Sequence, residues 1–325
     1  MKPIIIVGGG PAGVAAALVL AKHHEVTVID PLGTGGNPGG GGLFYIHQSE
    51  LFDSTFKVWG IRCEQRAVRS GLYLKGRVYS FKAAADHFGK EPLRQFVLHH
   101  YTKTRRTTYG FHDTAMNEGG QAGPQRYMVS VGALGRAVED RVKVMRKGVV
   151  AWYPGANTLD VRRSALSGDN QEHLEYSHLV WTLPLPLTLS MLGIRSPVPL
   201  HASDAYMARV EAPSCRDFVD WDFVYTPYTP GNSLYRLSPL PDGAYNAEGV
   251  SEQALMLDVN SVFGSDASIV GKPRYIRTAH VFGEVPVFQH PSNVLVLGRF
   301  AQWDPRMTMD KALERAERWR AANGL

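Results

Sequence analysis

The first thirty residues combine a strand, a glycine-rich turn, a helix and a second strand, and this order constrains the fold more than any other feature of the chain. Residues 4–7 are a continuous run of isoleucine and valine, which is typical of a strand buried in a parallel sheet. Residues 12–22 are rich in alanine and leucine and predict a helix. Residues 25–30 predict the next strand, which ends in Asp30. The sequence therefore indicates the start of an α/β domain.

The turn between the first strand and the helix has the spacing of a dinucleotide-binding loop. Gly8, Gly10 and Gly13 form the pattern G-x-G-x-x-G. Gly8 permits the tight turn, Gly10 lets a pyrophosphate approach the backbone, and Gly13 allows close packing of the helix on the strand. The helix start at residues 11–12, Pro11 and Ala12, is expected to hold the phosphates through unpaired N–H groups and the helix dipole. Asp30 is expected to accept a hydrogen bond from a ribose hydroxyl.

Residues 31–42 contain seven glycines and two prolines, a composition that excludes a packed element. Two interpretations fit this segment. It is either a flexible loop or a backbone that approaches a ligand closely, because glycine lets main-chain N–H groups come near. Its position directly after the dinucleotide unit favours the second.

The fingerprint alone does not distinguish FAD from NAD as the ligand. Three further features favour FAD. The unit stands at the N-terminus of the sequence, the segment G-T-G-G-N at residues 33–37 follows directly after Asp30, and a last apolar strand at 294–297 leads into Gly298 and Arg299 and then a helix.

These features resemble the superfamily of FAD-containing amine oxidases and UDP-galactopyranose mutases. Gly36 and Asn37 belong to a Gly-Gly-Asn segment that is similar to one in the mutases, and residues 298–310 are similar to their Gly-Arg, aromatic, Met-Asp segment. Trp303 stands where that family usually has tyrosine. The specific motifs cover residues 4–47 and 294–312, while the fold-level resemblance covers most of the chain.

The resemblance implies FAD as the cofactor and assigns further residues to its site. The backbone at the start of the last helix, Thr308 and Met309, would contact the flavin pyrimidine carbonyl, where the helix dipole would stabilise negative charge on a reduced flavin. Val150 would lie in the strand that touches the adenine end. Gly298 and Arg299 would complete the site.

The segment from Gly42 to His47 is reminiscent of the mutase pattern Gly-Pro-His-x-x-His, but only its second histidine is matched, by His47. Phe44 stands in place of the first, and this departure argues against sugar ring contraction. Two roles are open for His47. It is either a hydrogen-bonded core residue or an active-site group that accepts a proton from a substrate amine.

The remaining charge pattern bears on partners and metals. The formal net charge is +5, and a basic run contains Lys103, Arg105 and Arg106 between two tyrosines. This run is either a solvated face or a phosphate-binding rim able to contact nucleic acid. The twelve histidines show no metal-ligand spacing, so no metal is predicted.

The predicted fold class is α/β, with a Rossmann-like FAD-binding domain and an inserted, mixed and mainly antiparallel β substrate domain. The FAD-binding domain is expected at residues 1–80, 128–195 and 283–325, and the substrate domain at 81–127 and 196–282. The sequence shows neither a signal peptide nor an apolar stretch long enough to span a bilayer, so a cytoplasmic protein is expected. Its oligomeric state is left open.

The predicted activity is that of an FAD-dependent oxidoreductase, amine oxidase-like, that oxidises the C–N side of an amine or amino-acid-type substrate. The compact size and basic balance suggest one specific substrate, a glycine-type adduct carried on a DNA base, as in phage thymidine hypermodification. The alternative is a mutase-like, non-redox flavoenzyme that acts on a nucleotide sugar. A flavin-binding module without catalysis is a third possibility.

Overall fold

The computed structural model describes most of the chain. The described residues are 2–35, 43–47, 49–92, 125–163, 171–196, 198–212, 218, 220–226, 234–240, 242–282, 288–304 and 307–325. The chain divides into two compact units, the first formed by residues 1–65, 127–200 and 283–325 and the second by residues 66–126 and 201–282.

A five-stranded parallel sheet forms the centre of the first unit. Its strands are β1 (Ile4–Val7), β2 (Val26–Ile29), β8 (Lys143–Met145), β12 (His178–Trp181) and β18 (Val294–Val296). They are arranged in the order β18, β12, β1, β2, β8, and every neighbouring pair is parallel. The position of β1 in the middle of the sheet places the turn that follows it at the centre of the carboxyl edge.

Helices cover one face of this sheet. They are α1 (Pro11–Leu20), α2 (Glu50–Trp59), α4 (Val131–Glu139) and α8 (Met309–Ala322). The remaining helix in this numbering, α3 (Phe81–Phe88), belongs to the second unit. Ile4 and Ile6 point to this helical face, while Ile5 and Val7 point to the opposite one. Both faces of β1 are thus buried, which is why the strand is apolar at every position.

The opposite face is covered by a small antiparallel sheet and a short helix. Strands β9 (Gly148–Tyr153), β10 (Thr158–Arg162) and β11 (Glu172–Glu175) form this sheet in the order β11, β10, β9. Helix α5 (Leu185–Leu192) follows β12. Trp152 stacks on Trp181 with ring centroids 4.4 Å apart, and this contact anchors β9 to the parallel sheet.

Strands β3 (Leu43–His47), β4 (Glu64–Ala67) and β7 (Gln125–Ser130) form a further sheet in the order β3, β7, β4. The short helix α7 (Arg299–Gln302) lies between β18 and α8 in the chain. Within the described ranges, none of the helices is both long enough and apolar enough to cross a membrane.

A seven-stranded sheet dominates the second unit. Its strands are β5 (Ser70–Leu74), β6 (Arg77–Ser80), β13 (His201–Glu211), β14 (Phe223–Tyr225), β15 (Leu234–Pro239), β16 (Tyr245–Gly249) and β17 (Ser268–Phe282). The order is β17, β13, β16, β15, β14, β5, β6, and all pairs are antiparallel except β14 with β5. Helix α6 (Glu252–Phe263) packs on one face through Leu255, Val259 and Phe263.

The predicted fold class is confirmed: a Rossmann-like α/β unit is combined with a mainly antiparallel β unit. Two boundaries differ by five residues or more. The sequence predicts that residues 66–80 belong to the FAD-binding domain, but the structure groups them with the second unit, because β5 pairs in parallel with β14. Residues 196–200, predicted for the substrate domain, group with the first unit.

Candidate cofactor site

The glycine turn after β1 leaves no room for side chains at three of its positions, and at Gly9 a Cβ would lie 2.1 Å from the carbonyl oxygen of Gly33. Gly8 has a φ of +98°, and a Cβ placed there would lie 2.1 Å from Thr182 Oγ1. A Cβ on Gly13 would lie 1.9 Å from the carbonyl oxygen of Gly8. Around Gly10, by contrast, the described residues place no atom within 4 Å of the Cβ position, apart from the adjoining backbone. The turn is therefore closed against the protein and open at its middle glycine, where the sequence predicts a pyrophosphate.

Helix α1 begins at this open position without a side-chain cap. Its N-cap is Gly10, Pro11 occupies the first turn, and no acidic residue follows in that turn. Ala12 lies in the same turn and is partly buried. The N–H groups at the start of a helix have no partner within the helix, and their dipoles make that end electropositive. The start of α1 is thus suited to an anion.

Asp30 lies directly after β2 and is held beside the turn by the backbone. Its Oδ2 accepts a hydrogen bond from Gly9 N at 2.8 Å, and its Oδ1 accepts one from Leu32 N at 2.7 Å. A carboxylate has about four lone-pair sites. Asp30 therefore has the capacity to accept a further hydrogen bond from a hydroxyl group of a ligand.

The described start of the glycine-rich loop packs against the protein's own backbone. Gly35 N donates to Gly9 O at 2.7 Å, and Thr34 Oγ1 donates to Gly135 O in α4 at 2.9 Å. A Cβ on Gly135 would lie 2.6 Å from Gly35 Cα. These glycines serve close backbone packing, and no motif in the sequence indicates the contact with Gly135. Two predicted site residues, Gly36 and Asn37, lie outside the described residues.

The end of the last parallel strand meets the start of α1. Gly298 has φ +105° and ψ 159°, a conformation essentially restricted to glycine. A Cβ on Gly298 would lie 2.7 Å from Ala12 Cβ. Leu297 N donates to Trp181 O at 2.9 Å, which fixes the strand end in the sheet. The two segments that the sequence assigns to one site, at opposite ends of the chain, are therefore in contact.

Three buried polar atoms without a hydrogen-bond partner follow this contact. They are Gln302 Oε1, Trp303 Nε1 and Thr308 Oγ1, and together they make up half of the six such side-chain atoms found among the described residues. Gln302 is 5% exposed and Trp303 is 1% exposed. Thr308 is the N-cap of α8, but its side chain makes no capping hydrogen bond. Sequence reasoning singled out Thr308 but not Gln302.

The other predicted site residues are distributed as follows. Met309 is buried in the first turn of α8, and Arg299 begins α7. Val150 is half-buried in β9, and a Cβ on Gly148 at the start of that strand would lie 3.8 Å from Pro31 Cγ, next to Asp30.

His47 ends β3, and its side chain is outside the described part of the structure. The basic run with Lys103, Arg105 and Arg106 lies outside the described residues altogether.

A second polar cluster lies within the seven-stranded sheet. Glu248 is 3% exposed and accepts a hydrogen bond from Tyr235 Oη at 2.7 Å and from Arg236 Nε at 3.1 Å. Burial acts to lower the pKa of Arg236, but the adjacent Glu248 carboxylate raises it above its ordinary value. The guanidinium also lies 5.1 Å from the ring centroid of Phe223. This cluster is a compensated ion pair that sequence patterns did not reveal.

A third cluster is centred on the buried carboxylate of Asp160 in β10. It pairs with His173 Nδ1 at 2.7 Å, and it accepts hydrogen bonds from Gln171 Nε2 at 2.6 Å and Tyr153 Oη at 3.1 Å. The hydrogen bond to His173 is the largest influence, and it lowers the pKa of Asp160. The ionised carboxylate thus stabilises this sheet.

Comparison with known proteins identifies the fold. No protein-family model and no curated protein matches the sequence. Among solved structures, the chain is similar to a reduced UDP-galactopyranose mutase, with a TM-score of 0.66 and 14% identity over 100% of this chain and 94% of that one. The chain therefore shares the fold of this mutase.

Two further structures share this fold, and one of them was solved with FAD bound. A flavin-dependent monooxygenase in complex with FAD and substrate has a TM-score of 0.62 and 13% identity, over 99% of this chain and 58% of that one. L-proline dehydrogenase from P. horikoshii has a TM-score of 0.55 and 13% identity, over 99% of this chain and 94% of that one. At this identity the likeness concerns the fold, and the reaction must be argued from the site.

Proposed function

We propose that this protein binds FAD and is an FAD-dependent oxidoreductase. The observation that carries the proposal is the contact of Gly298 with Ala12, which joins the end of β18 to the start of α1. The dinucleotide turn and the C-terminal segment then border one site, as a ligand with a phosphate part and a ring part requires.

The described residues fit such a ligand. Gly8 and Gly13 are closed by protein atoms, whereas Gly10 is open, so space is left only where a pyrophosphate would approach the backbone. The unpaired polar atoms of Gln302, Trp303 and Thr308 fit a ligand with a polar ring system better than an apolar ligand.

Each part of the site then has a physical role. The first-turn N–H groups of α1 would hold the phosphates, and Asp30 would accept a hydrogen bond from a ribose hydroxyl. Thr308 and Met309, at the start of α8, would hold the ring system, and the electropositive end of that helix favours negative charge beside it. When bound, FAD supplies the acceptor for the electron pair removed from the substrate.

The substrate that we propose is an amine or an amino acid oxidised at its C–N bond. L-proline dehydrogenase, an enzyme named for an amino-acid substrate, shares this fold along nearly the whole of both chains, which supports this class. His47, at the end of β3, is our candidate for the group that accepts the amine proton. Replacing His47 with asparagine should slow reduction of the flavin by substrate and leave FAD affinity unchanged.

A glycine-type adduct on a DNA base is the specific substrate that we propose to test first. The net charge of +5 and the run Lys103, Arg105, Arg106 support contact with a phosphate backbone. Changing these three residues to glutamine should weaken binding to duplex DNA and reduce its salt dependence. If the wild-type protein and the triple variant bind DNA equally well, this run is a solvated face.

The deciding experiment is a visible spectrum of the purified protein, followed by anaerobic addition of substrates. Bound FAD should give a flavin spectrum, and an amino acid or a glycine-adduct duplex should bleach it. A folded protein that is colourless and does not take up added FAD would refute the cofactor. A yellow protein that is bleached by neither amines nor amino acids would refute the substrate class.

The alternative activity is a non-redox rearrangement of a nucleotide sugar. It is favoured by the likeness to UDP-galactopyranose mutase, which extends over nearly the whole of both chains. Such an activity should appear with a UDP-sugar only after reduction with dithionite. Turnover of a UDP-sugar without net oxidation would replace the oxidase proposal.

A further inference from the structure

The segment between β18 and α8 buries polar atoms in a way that a ligand-free protein would not favour. Gln302 and Trp303 end α7, and Thr308 begins α8. A buried polar atom without a partner loses its hydrogen bonds to water and gains none in return. Three such atoms lie within seven residues of sequence, and water or a ligand would have to satisfy them.

Backbone hydrogen bonds hold these three residues together. Gln302 N donates to Gly298 O at 3.0 Å, and Met307 N donates to Asp304 O at 3.2 Å. Ala312 N donates to Thr308 O at 3.0 Å and so fixes the N-cap. These bonds fix the backbone of Gln302 to that of Gly298, the residue in contact with Ala12, and the backbone of Thr308 to α8.

The chemistry of the three atoms specifies the partner. The indole Nε1 of Trp303 can only donate, Gln302 presents an oxygen that accepts, and the Thr308 hydroxyl can donate. The set thus offers two donors and one acceptor. The pyrimidine edge of a flavin ring presents the complement, because its two carbonyl oxygens accept and its N3–H donates.

We propose that Gln302, Trp303 and Thr308 form the recognition set for the pyrimidine edge of the flavin. This inference rests on the proposed function, because it assumes that FAD is the ligand. It assigns side chains of this protein, beyond the backbone at the start of α8, to flavin recognition. The three residues position the ring and do not take part in bond making or breaking.

The test uses substitutions that remove one polar atom and keep the shape. Thr308→Val and Gln302→Met should each raise the Kd for FAD about fivefold to tenfold, the usual effect of one lost hydrogen bond. The melting temperature of the FAD-free protein should not fall, because the removed atom has no partner to lose. Trp303→Phe should behave in the same way if it folds, and the other two variants decide the question if it does not.

A matched control is available in the same unit. Thr188 is 1% exposed, and its Oγ1 accepts a hydrogen bond from Trp181 Nε1 at 2.7 Å. Thr188→Val should lower the melting temperature of the FAD-free protein, because a buried donor loses its acceptor, and should leave the Kd for FAD unchanged. The opposite pattern in Thr308→Val and Thr188→Val separates ligand recognition from structural support.

A modified ligand isolates the Gln302 contact. The flavin N3–H is absent from 3-methyl-FAD, so this analogue should bind the wild-type protein about fivefold to tenfold more weakly than FAD. Gln302→Met should bind FAD and 3-methyl-FAD with equal affinity. The infrared carbonyl bands of bound FAD should shift to higher frequency in Thr308→Val, because a donor to a carbonyl has been removed.

The outcomes separate this inference from the proposed function. If the wild-type protein binds FAD and the variants bind it equally well, buried water satisfies these atoms, and the inference is wrong while the cofactor proposal stands. A lower melting temperature of FAD-free Thr308→Val, similar to that of Thr188→Val, would also overturn the inference. If the wild-type protein binds no FAD, the proposed function itself fails.

Discussion

The contact between Gly298 and Ala12 makes a prediction that tests how the two ends of the chain are joined. Gly298→Ala places a Cβ 2.7 Å from Ala12 Cβ, and among the described residues, apart from the adjoining ones, no other atom lies within 4 Å of it. Carbon atoms pack best at about 3.5–4.0 Å, so this pair overlaps strongly. The same substitution forces alanine into φ +105° and ψ 159°. Two separate penalties therefore act at one position.

The magnitude follows from these two terms. A backbone conformation of this kind costs about 1–3 kcal/mol, and an overpacked methyl group costs about 1–3 kcal/mol more. Gly298→Ala should therefore lower the free energy of unfolding by about 4 kcal/mol, a large part of the 5–15 kcal/mol typical of a domain. Gly60→Ala is the matched control, because Gly60 has φ +65° and open space around it. It should cost only about 1–2 kcal/mol.

A double variant identifies the overlapping atom. Ala12→Gly removes the methyl group that Gly298→Ala meets, so the double variant should be more stable than Gly298→Ala by about 1 kcal/mol. Urea denaturation of the FAD-free proteins, followed by circular dichroism, measures the stabilities of the wild type, the three single variants and the double variant. The reasoning is refuted if Gly298→Ala is as stable as Gly60→Ala, or if the second substitution lowers stability further.

Three further predictions concern single positions. Gly13→Ala should destabilise the FAD-free protein by about 3 kcal/mol, because its Cβ would lie 1.9 Å from a backbone oxygen. Gly10→Ala should cost less than about 1 kcal/mol of stability but should weaken FAD binding. Melting curves measure the effects on stability, and FAD titrations measure the effect on binding. Glu248→Gln should lower the free energy of unfolding in urea by about 1.5–3 kcal/mol, because Arg236, whose side chain is only partly exposed, loses its counter-charge. The Asp160 carboxyl has a lowered pKa, so its contribution to stability is present above about pH 4 and lost as the pH falls through its folded pKa; urea denaturation from pH 3 to pH 7 should show a smaller acid loss in Asp160→Asn.

Each of these predictions has a result that would contradict it. If Gly10→Ala and Gly13→Ala lower stability equally, the turn does not differ in the space it leaves at these two glycines. If Glu248→Gln leaves the free energy of unfolding unchanged, water already screens the charge of Arg236. An identical acid profile for wild type and Asp160→Asn would place the acid-sensitive carboxylates elsewhere.

Local signals determined the start of the fold. Residues 4–30 could be assigned from the sequence because each element there has its own cause: a β-branched run, a fixed glycine spacing and an alanine-rich segment. The observed bounds of β1, α1 and β2 agree with the predicted ones to within two residues. The turn between β5 and β6 is local in the same sense, because Lys75 and Gly76 both have the positive φ that a two-residue hairpin turn requires.

Other features depend on partners that are distant in the sequence. The hairpin of β5 and β6 has a local signal, but its place in the second unit is decided by pairing with β14, about 150 residues later. The contact of Thr34 with Gly135 spans 101 residues. Gly135 is not part of a sequence motif, so the sequence does not indicate this contact. The ion pair of Arg236 and Glu248 joins adjacent strands, whose register depends on the whole sheet.

The candidate site shows the same division. The sequence by itself determined the dinucleotide turn, Asp30 and the Gly298 segment. Glycine spacing and an aspartate at the end of an apolar strand are properties of short stretches of chain. Only the tertiary structure decided that Gly298 lies against Ala12, and that Gln302 and Trp303 are buried with unpaired polar atoms. Burial and hydrogen-bond satisfaction depend on every neighbour in space, and a linear pattern does not contain that information.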